Sequence, residues 1–227
     1  MTRLILVNAV YFKGAWVNIF DARNTEDEDF HVSPSETVKV KMMYRTEAKF
    51  YYGENEDLKC QAIELPYNGD CLSMFILLPD HSKTSLAEVE KRLTFDDLVN
   101  VKQKFEMSLW DVILWLPKFK MDVRLSLSES LCDLGMSDLF QEGVADLSGL
   151  DGSKELYVSK VLHRAMVDVN EQGTEAGACT AEVQKVLYGE IPKEMEFHAD
   201  HPFLFFIQHK PTGSILFLGR LAMPPTA

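Results

Sequence analysis

Two short stretches hold the residues whose types and spacing could do chemistry. They are Glu171-Gln172-Gly173-Thr174-Glu175-Ala176 and, further on, His198-Ala199-Asp200-His201. Imidazoles three apart with a carboxylate between them suggest a metal site. No helical pattern sets both rings on one face, however, so a satisfied or solvated pair is the reading preferred. Glu88/Glu90 and Asp96/Asp97 fall in helical patterns and read as solvated faces rather than acid/base pairs. Cys179 has no base beside it in the sequence and reads as a bystander thiol. No G-x-S-x-G elbow, P-loop or G-x-G-x-x-G occurs. The expectation is no enzyme, no metal and no cofactor.

The totals narrow the partners. Thirty-five acidic against 23 basic side chains give a net charge of -12 over 227 residues, which argues against a nucleic-acid binder. Cys60, Cys71, Cys132 and Cys179 show no C-x-x-C spacing and read as free thiols, or as one adventitious pair. No N-x-S/T sequon occurs, and no apolar run approaches a membrane span. Leu4-Ile5-Leu6-Val7 is too short for a signal-peptide core. It reads as a buried strand opening almost at residue 1, with the expectation that an N-terminal portion is missing.

Strand signals dominate the chain. Leu4 to Trp16 is a strand and turn, residues 21–37 a solvated loop with the acidic run Glu26-Asp27-Glu28-Asp29, and Val38 to Met42 a half-buried strand. Phe50-Tyr51-Tyr52, Cys60 to Leu65 and Leu72 to Leu78 continue the β character, with a turn at Pro66 to Asp70. Ser85 caps a helix, with Glu88 at the capping-box spacing, and Thr94 to Lys102 holds a second. Val112 to Phe119 is a strand, Leu125 to Phe140 a helix stopped by Gly135, and Leu156 to Val169 a strand. Strands at Phe203–Gln208 and Ser214–Leu218 close the chain around a hairpin turn. Without a βαβ rhythm, this is an α+β chain with mixed and antiparallel sheets and a few helices. One stretch does not fit. Between Val169 and Pro202 lie 32 residues, about 25 of them with neither periodicity, a length that in compact domains goes with binding or movement.

Asn8-Ala9-Val10-Tyr11-Phe12-Lys13-Gly14-Ala15-Trp16 and Glu171-Gln172-Gly173-Thr174-Glu175-Ala176 resemble the serpin family's third strand of sheet A and the hinge of its reactive centre loop. His201-Pro202-Phe203-Leu204-Phe205-Phe206-Ile207 and Thr212 to Arg220 resemble its C-terminal signature, and Leu116-Pro117-Lys118-Phe119 and Ala145 to Gly149 fit in between. The resemblance implies the serpin fold. The chain would be one partial domain, residues 1–227, corresponding to roughly the last three-fifths, with the loop at about 171–196.

The activity implied is suicide inhibition of a serine protease. The loop is cleaved and then inserts into sheet A as a new strand. Such a segment needs small side chains, and at a strand period of two Thr174, Ala176, Ala178 and Thr180 share one face while Glu175 takes the other. Glu182 falls on the inward face by the same count. A Gly/Ala-rich linker is the plainer reading of that composition. By motif, Asn8 and His163 match the pair across strands three and five, the shutter. Lys118 matches the partner of the hinge acid Glu171, as an exposed pair, and Trp16 marks the point where the loop inserts. Family spacing sets the reactive bond at Leu187-Tyr188, which favours chymotrypsin-like or elastase-like proteases. Lys185 is the alternative, for trypsin-like ones. The implied protein is a monomer at risk of loop-sheet polymers, with no nucleic-acid or membrane partner. Extracellular placement is favoured on family grounds and cytoplasmic is the rival. A truncated or non-inhibitory serpin, whether chaperone, carrier or inactive splice product, is the competing function.

Overall fold

The computed structural model describes residues 4–152, 155–173 and 195–226. They form two compact units. One takes in the chain up to Phe12 together with Lys120–Asp168; the other takes Lys13–Phe119 and the chain from Val169 onward. Among the described residues no helix is long and apolar enough to cross a membrane.

The first unit is built on a three-stranded sheet in the order β1-β8-β7, with β1 at Leu4–Phe12, β7 at Phe119–Ser126 and β8 at Val158–Val169. β1 and β8 run parallel, with Asn8 opposite His163. There His163 Nδ1 and Asn8 Oδ1 lie within hydrogen-bond distance, 2.9 Å apart. On the other side, Arg164 forks onto Asp122 of β7 at 2.7 and 2.5 Å. Contrary to the sequence expectation, β1 is not a buried strand: Val7 is 73% exposed and Asn8 is exposed as well.

The expected helix Leu125–Phe140 is also corrected. Phe119 to Ser126 alternates apolar and polar residues and pairs as a strand. Only Ser128–Asp133 is α-helical (α4), and Gly135 ends the segment with φ +94°. Leu134, which a longer helix would need to bury, is 80% exposed. With nothing to pack on, such a helix gains too little to persist.

The second unit carries an eight-stranded sheet. Its order is β11-β10-β5-β4-β3-β6-β9, with β2 paired to β3 off that path. The strands are β2 Glu26–Ser33, β3 Glu36–Asn55, β4 Cys60–Pro66, β5 Leu72–Pro79, β6 Ser108–Pro117, β9 Met195–His198, β10 Phe203–His209 and β11 Ser214–Leu221. β5 and β10 are near-continuous apolar runs because both are buried, and Phe75 stacks on Phe206 with centroids 5.0 Å apart.

The acidic run is not a loop. It belongs to β2, where Asp27 and Asp29 meet Lys41 and Lys39 across the hairpin at 2.7 and 2.9 Å, and Phe30 points inward, fully buried. Cross-strand charge pairing makes the run compatible with a sheet. The strands expected at Val38–Met42 and Phe50–Tyr52 are one strand, β3, with a register shift between Arg45 and Ala48.

Helices α1 (Leu86–Arg92), α2 (Phe95–Val99) and α3 (Val101–Lys104) pack Val89, Leu98 and Val101 into the core beside Phe75, Leu77 and Phe206. Ser85 caps α1 as expected. Glu88, however, turns to Lys91, and the reciprocal capping box belongs to Thr94 and Asp97 on α2.

Two outcomes follow from this packing. Because Asn8 is exposed, losing its bond leaves no desolvated orphan. His163→Ala is expected to cost no more than about 1 kcal/mol in urea unfolding, the ordinary net worth of one hydrogen bond; a loss of several kcal/mol would show the pair to be buried. Gly53 is the opposite case. A Cβ there would stand 2.0 Å from the Phe105 carbonyl oxygen and 2.9 Å from the backbone of Met107. Gly53→Ala should destabilise by about 2–3 kcal/mol, as overpacking against backbone does. Gly149→Ala, with open space around it, should be neutral or slightly stabilising in the same titration.

Candidate functional site

The turn Asn170 to Gly173 leaves β8 and leads toward the small-residue segment. Its fastening begins with Gly173, which bridges to Ala15 with φ +102°. A Cβ at Gly173 would lie 2.3 Å from the Gly14 carbonyl oxygen and 2.6 Å from the Trp16 nitrogen. Only glycine fits there, both for the dihedral and for the approach.

The backbone bonds on either side are Trp16 N–H to the Gln172 carbonyl at 3.1 Å and Phe20 N–H to the Glu171 carbonyl at 2.8 Å. Trp16 is 2% exposed, stacks on Tyr67 with centroids 4.3 Å apart, and donates its indole N–H to the Asn170 carbonyl at 3.0 Å. The indole is a rigid plate with one polar edge, and that edge holds the turn.

Glu171 is the charged member. Its carboxylate receives Lys118 Nζ at 3.0 Å and the Thr25 hydroxyl at 2.9 Å. Lys118 is itself placed by its backbone N–H, which donates to the Lys41 carbonyl at 2.8 Å just past the end of β6. The pair is less exposed than the sequence reading held: the Glu171 side chain is 12% exposed and that of Lys118 38%. Burial alone would raise the Glu171 carboxyl. A backbone hydrogen bond, Lys118 and Thr25 outweigh it and hold the group below its ordinary value.

Glu171, Gly173, Trp16 and Lys118 are thus brought together, and Asn8 and His163 face each other across β1 and β8. Thr174, Glu175, Ala176, Ala178, Cys179, Thr180, Glu182, Lys185, Leu187 and Tyr188 lie outside the described residues, and the expected loop end at 196 falls inside β9. Thr25 and Tyr67 were missed by sequence reasoning. Thr25 sat in a segment read as loop, and Tyr67 in one read as turn.

The histidine pair does not converge on a shared point. His198 Nε2 faces Glu28 at 3.3 Å, whereas His201 lies between the Asp200 carboxylate and the Pro79 carbonyl, each 2.7 Å away. Among the described residues no group of three or more His, Cys, Asp or Glu could hold a metal ion. Cys60, Cys71 and Cys132 are free, and burial pushes the Cys60 thiol up to about 12.

A family model described as "Serpin (serine protease inhibitor)" matches residues 1–224. Leukocyte elastase inhibitors of horse and cattle are 46% and 47% identical over 227 residues, covering 99% of this chain and 59% of theirs. The chain therefore spans about three-fifths of the length of the curated relatives it matches. Among solved structures, maspin superposes with a TM-score of 0.86 and uncleaved ovalbumin with 0.83, each 32% identical. They cover 99% and 98% of this chain, and 58% and 55% of those chains is matched. On the sequence motifs, the sheet topology and these matches, the chain belongs to the serpin family.

Proposed function

We propose that this chain carries the trapping half of a serine-protease inhibitor. The target's serine attacks the Leu187 carbonyl, the bond to Tyr188 breaks, and the acyl-enzyme stays attached to the segment that begins at Gly173. That segment then enters the sheet of β1, β8 and β7 as a strand, with β1 and β8 parting to admit it, and carries the protease along. The small face of Thr174, Ala176, Ala178 and Thr180 would be buried, and Glu175 would meet solvent.

The observation that carries this reading is the fastening of the turn Asn170–Gly173 by Trp16, Thr25 and Lys118, immediately before the small-residue run. A plain linker has no need of a glycine locked against the backbone of Gly14 and Trp16. The relatives' name, leukocyte elastase inhibitor, adds weight to an elastase-like target for Leu187 over a trypsin-like one for Lys185.

A truncated chain without inhibitory function is the second reading. It is favoured by the exposed apolar residues of β1, Ile5 at 44%, Leu6 at 43% and Val7 at 73%. If the chain, extended to the full length of its relatives, makes no SDS-resistant complex with elastase or chymotrypsin, that second reading stands.

Within such a complex, the peptide released at its C-terminal side should begin at Tyr188 by mass spectrometry. A peptide beginning at Val186 would move the bond to Lys185. Thr174→Arg tests the trap itself. A guanidinium carried into the sheet interior without a partner costs several kcal/mol, so insertion should lag behind deacylation. Cleavage continues while trapping fails, and the moles of inhibitor consumed per mole of protease inactivated should rise by about tenfold or more. A ratio equal to the parent's would refute strand insertion as the mechanism.

A further inference from the structure

Beside the fastened turn lies a cavity of about 620 Å³ lined by Ile19, Phe20, Ala22, Arg45, Lys118 and Gln172, among others. Its charges do not cancel. Asp21, on the wall, is held by Arg23 through bonds of 3.0, 3.1 and 2.6 Å, and Glu171 is held by Lys118 and Thr25. Arg45 has no carboxylate partner among the described residues. One of its terminal nitrogens donates to the Ile19 carbonyl, and its Nε is buried with no hydrogen-bond partner. Burial pushes its ionisation below the usual arginine range, and no acidic neighbour acts in the other direction. A guanidinium fork is suited to meet a carboxylate or phosphate; this one lines a cavity.

We propose that this cavity is a binding site for a small organic carboxylate, with Arg45 reading the charge and Ile19, Phe20 and Ala22 receiving an apolar body. The volume suits a small ligand, and an apolar wall with a few polar groups is the usual make-up of such a site. A carboxylate matches the planar fork of a guanidinium, and the apolar wall of Ile19, Phe20 and Ala22 favours an organic acid over a bare inorganic anion. Because Asn170, Glu171 and Gln172 form another wall, an occupant would also brace the turn in front of Gly173. The site does not depend on whether the chain inhibits a protease.

The test uses this chain with benzoate as probe, benzyl alcohol as its neutral counterpart and sodium chloride at equal ionic strength. Benzoate at millimolar concentration should raise the melting temperature, since a ligand that binds only the folded state stabilises it; the other two should not. Arg45→Gln should weaken benzoate binding in calorimetry by about tenfold or more, the worth of one charge-assisted hydrogen bond, and Arg45→Lys should restore part of it. If the glutamine variant fails to fold, the unmutated chain still decides the matter. Phenylglyoxal labelling of Arg45, mapped by mass spectrometry, should be slowed by benzoate and not by benzyl alcohol. Equal effects of benzoate and benzyl alcohol, a shift untouched by Arg45→Gln, or labelling of Arg45 unchanged by benzoate would each overturn the site. Phosphate binding as well as benzoate would overturn the carboxylate assignment.

Discussion

Everything at the candidate site depends on one close approach, that of the Gly173 backbone to Gly14, Ala15 and Trp16. A side chain there would collide with a carbonyl oxygen, an amide nitrogen and a Cα, all main-chain atoms that cannot swing aside. The approach brings Trp16 N–H to the Gln172 carbonyl and the indole to the Asn170 carbonyl, and so sets where Glu171 points. Replace the glycine and the register of the turn is lost, along with the geometry by which Lys118 and Thr25 reach the carboxylate.

That carboxylate makes the fastening dependent on pH in a definite direction. Its ionisation is held below the ordinary carboxylate value, so the folded state favours the charged form. The contribution is present above the unfolded value of about 4.3 and is lost as pH falls through the lower folded value. A solvated pair would contribute little. Glu171 is mostly buried and Lys118 about one-third exposed, so the pair lies between a surface ornament and a buried bridge. It can hold a turn firmly at neutral pH and still be exchanged for other partners.

Legibility followed the range of the interaction. Ser85 as a cap, the two closing strands and the strand ending near Val169 are local patterns, and all three were readable. The segment Glu26–Ser33 was not, because its four acids look like a solvated loop until Lys39 and Lys41 are placed across a hairpin. Leu125 to Phe140 failed for the converse reason: helical spacing was present, but Leu134 found nothing to bury against. At the site, Trp16, Lys118 and Glu171 were legible only through family motifs. Thr25 and Tyr67 carry no local signal, since each acts through a partner far off in the chain. Arg45 reads as one more basic residue on a strand until its burial is known. Compartment left no trace in these residues, and the extracellular expectation gains no support from the relatives' names.

The first unit's three-stranded sheet has two seams with different side-chain ties, and the difference bears on the proposed mechanism. β8 is tied to β7 by the two-pronged Arg164–Asp122 pair, a planar fork meeting a planar carboxylate. β8 is tied to β1 by ladder bonds, by the single exposed Asn8–His163 contact and by the Ser159 hydroxyl on the Leu4 carbonyl. A strand added between β1 and β8 would replace the broken ladder bonds with its own on both sides, so the backbone cost is transient. What must be given up for good is side-chain contact across the seam, and in hydrogen bonds among the described residues that amounts to the Asn8–His163 contact and the Ser159 hydroxyl bond, each worth about 1 kcal/mol. β5 and β10 of the other sheet could not part so cheaply. Phe75 is stacked on Phe206 in a fully buried row, and separating them would expose both rings. A sheet that admits a strand would best be held by its backbone and lightly by its side chains, and the β1–β8 seam is compatible with that proposal.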